Sequence, residues 1–242
     1  MNKKPITTAM ILAAGFGSRM RPLTNNRPKP LVELDGQPMI DHVLARMSLV
    51  GIERAIVNLH YQADMLEAHL GERQRKPAIC FSNERDEILD TGGGIKRALP
   101  LLGDQPFLLH NSDSVWIEQE NDNLAALLAH YDPDKMDALL LMAPVATSLG
   151  YDGAGDFFIE DTGRLRRRTH EQTSPNVFTG VSVLHPRLFN DSPQGAFSIN
   201  ILWDRAIKQG RVYGLPFEGK WMHVGTPEAL IEAEKVLHDQ GK

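Results

Sequence analysis

Short apolar runs alternate with stretches whose apolar residues recur at helical spacing, and this alternation limits most strongly what the chain can become. Residues 9–12, 54–59, 78–81 and 107–109 read as strands, and residues 39–49, 63–70 and 96–102 read as helices between them. Strand, helix and strand in succession predict a three-layer α/β fold around a Rossmann-like, doubly wound, mixed but mostly parallel sheet. In such sheets ligands sit beyond the carboxyl ends of the strands. The pattern continues with a helix at 123–130, an apolar strand at 138–145 and a glycine-rich loop running into a strand at 157–159. Asp161-Thr162-Gly163 is a turn, 178–184 a strand with Gly180 inside it, 199–208 a helix and 212–215 a strand. Thr226 is suited to cap, and Pro227 to begin, a last helix running to 237. The 242 residues, 42% of them hydrophobic, suffice for one large α/β domain spanning 1–242.

Three stretches fall at predicted strand ends. The first is Leu12-Ala13-Ala14-Gly15-Phe16-Gly17-Ser18-Arg19. Its two glycines let the backbone turn sharply and approach a ligand closely. Amide groups of such a loop cradle phosphate oxygens, and Arg19, Arg21 and Lys29 add three cations nearby. The second is Ser82-Asn83-Glu84 and the third is Asn111-Ser112-Asp113. Between them Asp90-Thr91-Gly92-Gly93-Gly94 precedes the helix expected at 96–102, giving a further amide-rich anion site. Gly180 inside its strand marks a close approach of backbone or ligand. Asp113, following an apolar strand, suits a magnesium ion that is shared with phosphate oxygens. The glycine loop is not a Walker A loop, because no Gly-Lys-Ser/Thr follows. It is not the dinucleotide fingerprint either, because the third glycine is missing.

Other classes are disfavoured. The net charge is -5, against the basic face that nucleic-acid binding needs, and the run Arg164 to Arg168 reads as a solvated edge strand. One cysteine, Cys80, excludes an internal disulfide and a cysteine-based zinc site, and it reads as a small buried hydrophobe. No stretch is apolar for the length a membrane span needs, and the N-terminal residues do not read as a signal peptide. The expectation is a reduced, cytoplasmic protein that binds neither nucleic acid nor membrane. The sequence leaves its oligomeric state open.

Gly15-x-Gly17-x-Arg19, Pro22-Leu23-Thr24 and Pro28-Lys29-Pro30 resemble, in order and spacing, the signature of the sugar-1-phosphate nucleotidylyltransferases. The resemblance extends over nearly the whole chain. Asp90-Thr91-Gly92-Gly93-Gly94, Gly155-Asp156-Phe157, the segment 178–186 and the segment 221–226 place it nearest a short bacterial branch acting on N-acetylmuramate 1-phosphate. It implies a nucleotide-diphospho-sugar transferase fold, related to GT-A folds, and transfer from a nucleoside triphosphate (NTP) to a sugar 1-phosphate with release of pyrophosphate. UTP and a place in peptidoglycan recycling are the branch's implication. Mannose-1-phosphate guanylyl transfer and a nucleotide-sugar-binding regulatory module without turnover are the alternatives.

The resemblance assigns Arg19, Lys29 and Asp113 to catalysis. To the nucleotide it assigns Leu12, Ala13, Ala14, Gly15, Gly17, Ser18, Asn83, Thr91, Gly92 and Gly93. To the sugar phosphate it assigns Asn111, Gly155, Asp156 and Gly180, in a sugar-binding portion at about 144–226. The implied cofactor is Mg2+, with Mn2+ as the alternative, held by Asp113. Two departures stand out: Ser112 replaces the family's glycine, and His223 replaces the aspartate that is the family's second metal ligand. A neutral imidazole is a poor magnesium partner. His223 is therefore a bystander, or a ligand for a softer ion, or a position for which Asp156 compensates.

Overall fold

The computed structural model describes residues 4–240. In chain order the elements are β1 (Thr8–Leu12), β2 (Glu33–Leu34), β3 (Gln37–Pro38), α1 (Met39–Leu49), β4 (Arg54–Leu59), α2 (Ala63–Gly71), β5 (Ala78–Asn83), α3 (Asp90–Leu102), β6 (Phe107–Asn111) and β7 (Ser114–Glu118). They continue with α4 (Asn123–His130), β8 (Ala138–Pro144), β9 (Phe157–Ile159), β10 (Leu165–Arg167), β11 (Asn176–Leu184), α5 (Asn200–Lys208), β12 (Val212–Pro216), β13 (Gly219–His223) and α6 (Pro227–Gln240). The main sheet has nine strands, and its central path runs β10-β9-β11-β6-β1-β4-β5. β6, β1, β4 and β5 are parallel neighbours. β11 runs antiparallel to β6 and to β8, and β12 pairs parallel to β8. The expected mixed, mostly parallel α/β sheet is what forms.

Alternate residues of β1 enter different cores, as the two-residue period of a strand requires. Ala9 and Ile11 join α1 and α2 on one face, while Met10 joins α3, α5 and Trp203 on the other. Cys80 lies half-buried beside the second core. A third, smaller core forms under α6, where Met20, Val32 and Met39 meet Met222, Val224 and Leu230. Thr226 caps α6, accepting from Ala229 N at 3.2 Å, and Pro227 begins the helix, as expected.

Three differences from the sequence expectation matter for the site. First, α3 begins at Asp90, so the three glycines lie inside its first turns rather than in a loop before it. A methyl group on Gly92 would run into the Phe197 ring, and one on Gly93 into the Gly195 carbonyl oxygen. One on Gly94 would sit 2.8 Å from Glu84 Oε1. Close packing, not backbone freedom, accounts for these glycines. Gly92 N and Gly93 N both donate to Phe197 O, and Phe197 N donates to Leu89 O, so the segment 195–199 is laced onto the helix start.

Second, β7 and β13 pair antiparallel as a separate ribbon that the sequence reading does not contain. Their partners lie about a hundred positions apart, so no local pattern announces the pairing. Third, residues 31–34, which follow Pro30 and read from the sequence as a short extended segment, are strand only at Glu33–Leu34, because Leu31 closes a 3-10 turn that begins at Lys29.

Replacing Gly93 by alanine should destabilise the protein by about 1–3 kcal/mol, the usual cost of overpacking. The lost stability should appear as a lower unfolding midpoint in denaturant. An unchanged midpoint would show that the segment 195–199 yields freely.

Candidate active site

The register of β1 with β6 sets Leu12 beside Asn111. That of β4 with β5 sets Asn58 beside Ser82 and Leu59 beside Asn83. Beyond these carboxyl ends lies a cavity of about 330 Å3. Its walls include Leu12, Ala13, Ala14, Gly15, Gly17, Ser18, Arg19, Lys29, Thr91, Asn111 and Asp113. Chain segments from residue 12 to residue 113 thus converge there, as their places at strand ends suggest.

The glycine loop is fixed from behind. Gly17 has a φ of +61°, a left-handed conformation, and a methyl group there would come within 3.0 Å of Lys29 Cβ and Thr24 Cγ2. Thr24 Oγ1 donates to Gly17 O at 2.8 Å, and Tyr61 Oη donates to Thr24 O at 2.8 Å. Phe16 rests edge-on against His60 and Tyr61, with centroids 5.4 and 5.8 Å away. The loop therefore has its shape before any ligand arrives.

Opposite the loop lies a buried polar chain made of Asn58, which the sequence does not single out, and Glu84, the last residue of the strand-end stretch 82–84. Asn58 Oδ1 accepts from Ala13 N at 2.7 Å, and Asn58 Nδ2 donates to Glu84 Oε1 at 2.8 Å. Asn58 and Glu84 both line the cavity, and Glu84 is fully buried. Burial pushes the Glu84 carboxyl up, against the opposing hydrogen bond from Asn58. The available signals were a lone amide in the apolar strand 54–59 and a glutamate just past a strand end. Asn83, the neighbour that the sequence reading chose, is exposed and does not line the cavity; its side chain accepts from Arg85 N at 3.0 Å.

At the other side the cations meet a carboxylate. Lys29 Nζ lies 2.5 Å from Asp113 Oδ2, and the two side chains are 11% and 17% exposed. Burial pushes the Asp113 carboxyl up, but Lys29 and His223 outweigh it and hold Asp113 below the usual carboxylate range. The β7–β13 ribbon brings His223 here: His223 pairs with Ser114, and Val224 N donates to Asp113 O at 3.2 Å. The imidazole stacks on Trp221 at 5.9 Å, and Arg19 Nη2 faces His223 Nε2 at 3.5 Å. Burial lowers the His223 pKa against the pull of Asp113, and Lys29 and Arg19 add to the lowering. A methyl group on Gly225 would sit 2.7 Å from His223 Nε2, so glycine is what leaves room for the ring.

The remaining expected site residues lie outside the cavity wall. Gly92 and Gly93 stand behind Thr91, against the segment 195–197. Gly180, at a φ of +84° and in a register shift of β11, abuts Asn111: a methyl group there would lie 2.8 Å from Asn111 Nδ2. Asp156 Oδ2 accepts from Phe178 N at 2.9 Å, and Gly155 N donates to Tyr151 Oη at 3.1 Å. Of these, Gly180 meets the cavity wall, through Asn111.

Among the described residues no group of three or more His, Cys, Asp or Glu is placed to hold a metal ion. One carboxylate with one imidazole nitrogen beside it does not make an all-protein cage. It does fit a divalent ion that takes its remaining ligands from phosphate oxygens. A strand-end cavity with a preformed amide loop, two cations and one such carboxylate defines a phosphate-handling α/β enzyme site.

The chain belongs to the Nucleotidyl transferase family, whose sequence model matches residues 8–154. It is 47% identical over 232 residues to N-acetylmuramate alpha-1-phosphate uridylyltransferase of Caulobacter vibrioides, covering 95% of this chain and 96% of that one. It is 34% identical to the protein of the same name from Neisseria meningitidis serogroup B, covering 93% of this chain and 96% of that one. Its fold matches a crystal structure of apo UDP-glucose pyrophosphorylase with a TM-score of 0.82 and 17% identity, covering 98% of this chain and all of that one. The family and these relatives make the chain a sugar-1-phosphate nucleotidylyltransferase, of a family that works with a divalent metal. Among the described residues no helix is long and apolar enough to cross a membrane.

Beneath the site, His110 is fully buried in β6; its Nδ1–H donates to Asn111 O at 2.7 Å, and the ring stacks on Trp116 at 5.5 Å. Burial depresses its pKa from 6.5 to about 4. Between those values the unfolded chain takes up a proton that the fold refuses, so stability should fall as pH drops from 6.5 to 4. The loss by pH 4 should be roughly 3 kcal/mol. Denaturant unfolding against pH checks this, and His110→Asn should flatten that limb of the profile.

Proposed function

We propose that the protein transfers a uridylyl group from UTP to N-acetylmuramate 1-phosphate, in the cytoplasm, as a step of peptidoglycan recycling. The observation that carries this reading is the convergence of the glycine loop, Arg19, Lys29 and Asp113 in one cavity at the strand ends. The name borne by the Caulobacter and Neisseria relatives supports the choice of base and sugar.

An oxygen of the sugar phosphate attacks the α-phosphorus of UTP, a new P–O bond forms, and the bond from the α-phosphorus to the bridging oxygen breaks as pyrophosphate leaves. The protein needs no nucleophile of its own; it must align the two phosphates and offset their charge. Loop amides from Ala14 to Ser18 face the triphosphate, with Arg19 and Lys29 as its counter-charges. Asn58, Glu84 and Thr91 border the space left for the base. Asn111 and, from the portion at about 144–226, Gly155, Asp156 and Gly180 make the sugar side. Asp113 would hold the divalent ion, with His223 as a second donor; the ion, Mg2+ with Mn2+ as the substitute, would supply charge neutralisation at the phosphates.

Pyrophosphate release from a panel of triphosphates and sugar 1-phosphates tests this reading. UTP with N-acetylmuramate 1-phosphate should turn over fastest, and a preference for GTP with mannose 1-phosphate would overturn the assignment. Arg19→Ala and Lys29→Ala should each lower turnover about 10²–10³-fold, the cost of losing one preorganised charge contact. Near-normal rates in both would remove them from catalysis. His223→Asp should raise the rate with magnesium relative to manganese, because it adds a hard oxygen ligand. An unmoved ratio would make His223 a bystander.

A further inference from the structure

The two side chains best placed to donate to a divalent ion are both already occupied by cations of the protein. Lys29 Nζ sits on Asp113 Oδ2 at 2.5 Å, and Arg19 Nη2 faces His223 Nε2 at 3.5 Å. The Lys29–Asp113 pair is largely buried, so the charges attract strongly and water screens them little. A divalent ion arriving at Asp113 meets an ammonium already in place, and like charges so close disfavour sharing the carboxylate. Lys29 is also anchored where phosphates would lie: its Cβ is the atom that a methyl group on Gly17 would approach at 3.0 Å. From that anchor the flexible stem can carry its head from Asp113 to an anion in the loop. Arg19 sits in the 3-10 turn Ser18–Met20, which directly follows the same loop, and it is exposed.

We infer that the site works by cation exchange: a polyphosphate entering the glycine loop draws Lys29 off Asp113 and Arg19 off His223, and this frees the donor pair for a divalent metal ion. The inference rests on the reading of the cavity as a triphosphate site. It makes the order of events a property of the fold, with nucleotide first and metal at Asp113 second. It also keeps the protein without nucleotide from holding a metal at this position. Because linkage is reciprocal, metal and triphosphate then strengthen each other's binding.

Binding of Mn2+ to the nucleotide-free protein, followed by the loss of the free-ion signal in electron paramagnetic resonance, tests the exchange directly. Lys29→Met and Lys29→Gln, which keep the stem and remove the competing charge, should bind Mn2+ about tenfold more tightly than the wild type. Adding Asp113→Asn to either should abolish the gain. Arg19→Ala, at an exposed position that does not threaten folding, should give a smaller gain that His223→Ala removes. No tightening in any of the three single variants overturns the inference. A second measurement separates it from the reading on which it rests: UTP in EDTA should still raise the melting temperature of the wild type. A shift present with magnesium and absent in EDTA overturns the order of events. No shift under either condition overturns the triphosphate reading itself.

Discussion

Everything at the site depends on four parallel strands ending together. β6, β1, β4 and β5 stop within a residue or two of one another, so their last peptide groups lose their sheet partners along one line. Buried backbone groups need partners elsewhere. Ala13 N finds one in Asn58 across the sheet, and Ser112 N finds one in Leu12 O. These substitutes turn a frayed sheet margin into a rigid floor. The glycine loop rises from β1 above it, and Asp113 follows β6.

Two buried polar chains brace this floor from opposite sides. On one side Asn58 joins β1, β4 and the segment after β5, and breaking it would leave the Ala13 amide buried without its partner and take from the Glu84 carboxyl its side-chain donor. An unmet buried group of that kind costs roughly 1–3 kcal/mol. On the other side Trp221 Nε1 donates to Ser114 Oγ at 2.8 Å, Ser114 Oγ donates to Thr179 O at 2.5 Å, and Thr179 Oγ1 donates to Leu141 O at 3.0 Å. That chain pins the β7–β13 ribbon to the main sheet, and with it the position of His223. The Asp113 side and the Glu84 side of the cavity are therefore held by separate sets of bonds.

The sequence reveals the parts of the fold whose causes are local. The strand-and-helix alternation, the glycine loop with its cations, and the aspartate after an apolar strand all announce themselves within a few residues, and the structure joins them. What stays hidden is set by distant partners. The glycines 92–94 look like a loop because glycine is rare in helices, yet they are helical because Phe197, Gly195 and Glu84 lie against them. The β7–β13 ribbon depends on residues about a hundred apart. Asn58 and Glu84 are single polar residues whose meaning appears only when two strand ends meet. His223 is visible as a departure from the family pattern, but its placement beside Asp113 comes from the ribbon and from the small size of Gly225.

The margin of the sheet at β10 has a consequence for how the chain behaves in a crowded solution. An uncovered strand edge invites a second chain to add to it. Here that edge is only three residues long, Leu165–Arg167, it is closed at its start by the bridge from Arg164 to Tyr213 of β12, and its arginines are spent on their own neighbours. Arg167 binds Asp204 and lies over Phe157 at 4.5 Å, while Arg166 lies over Phe158 at 4.2 Å. A foreign strand docking there would have to strip charged side chains from aromatic faces and from a carboxylate. The basic run that superficially suggests nucleic acid thus serves as a guard against edge-to-edge aggregation.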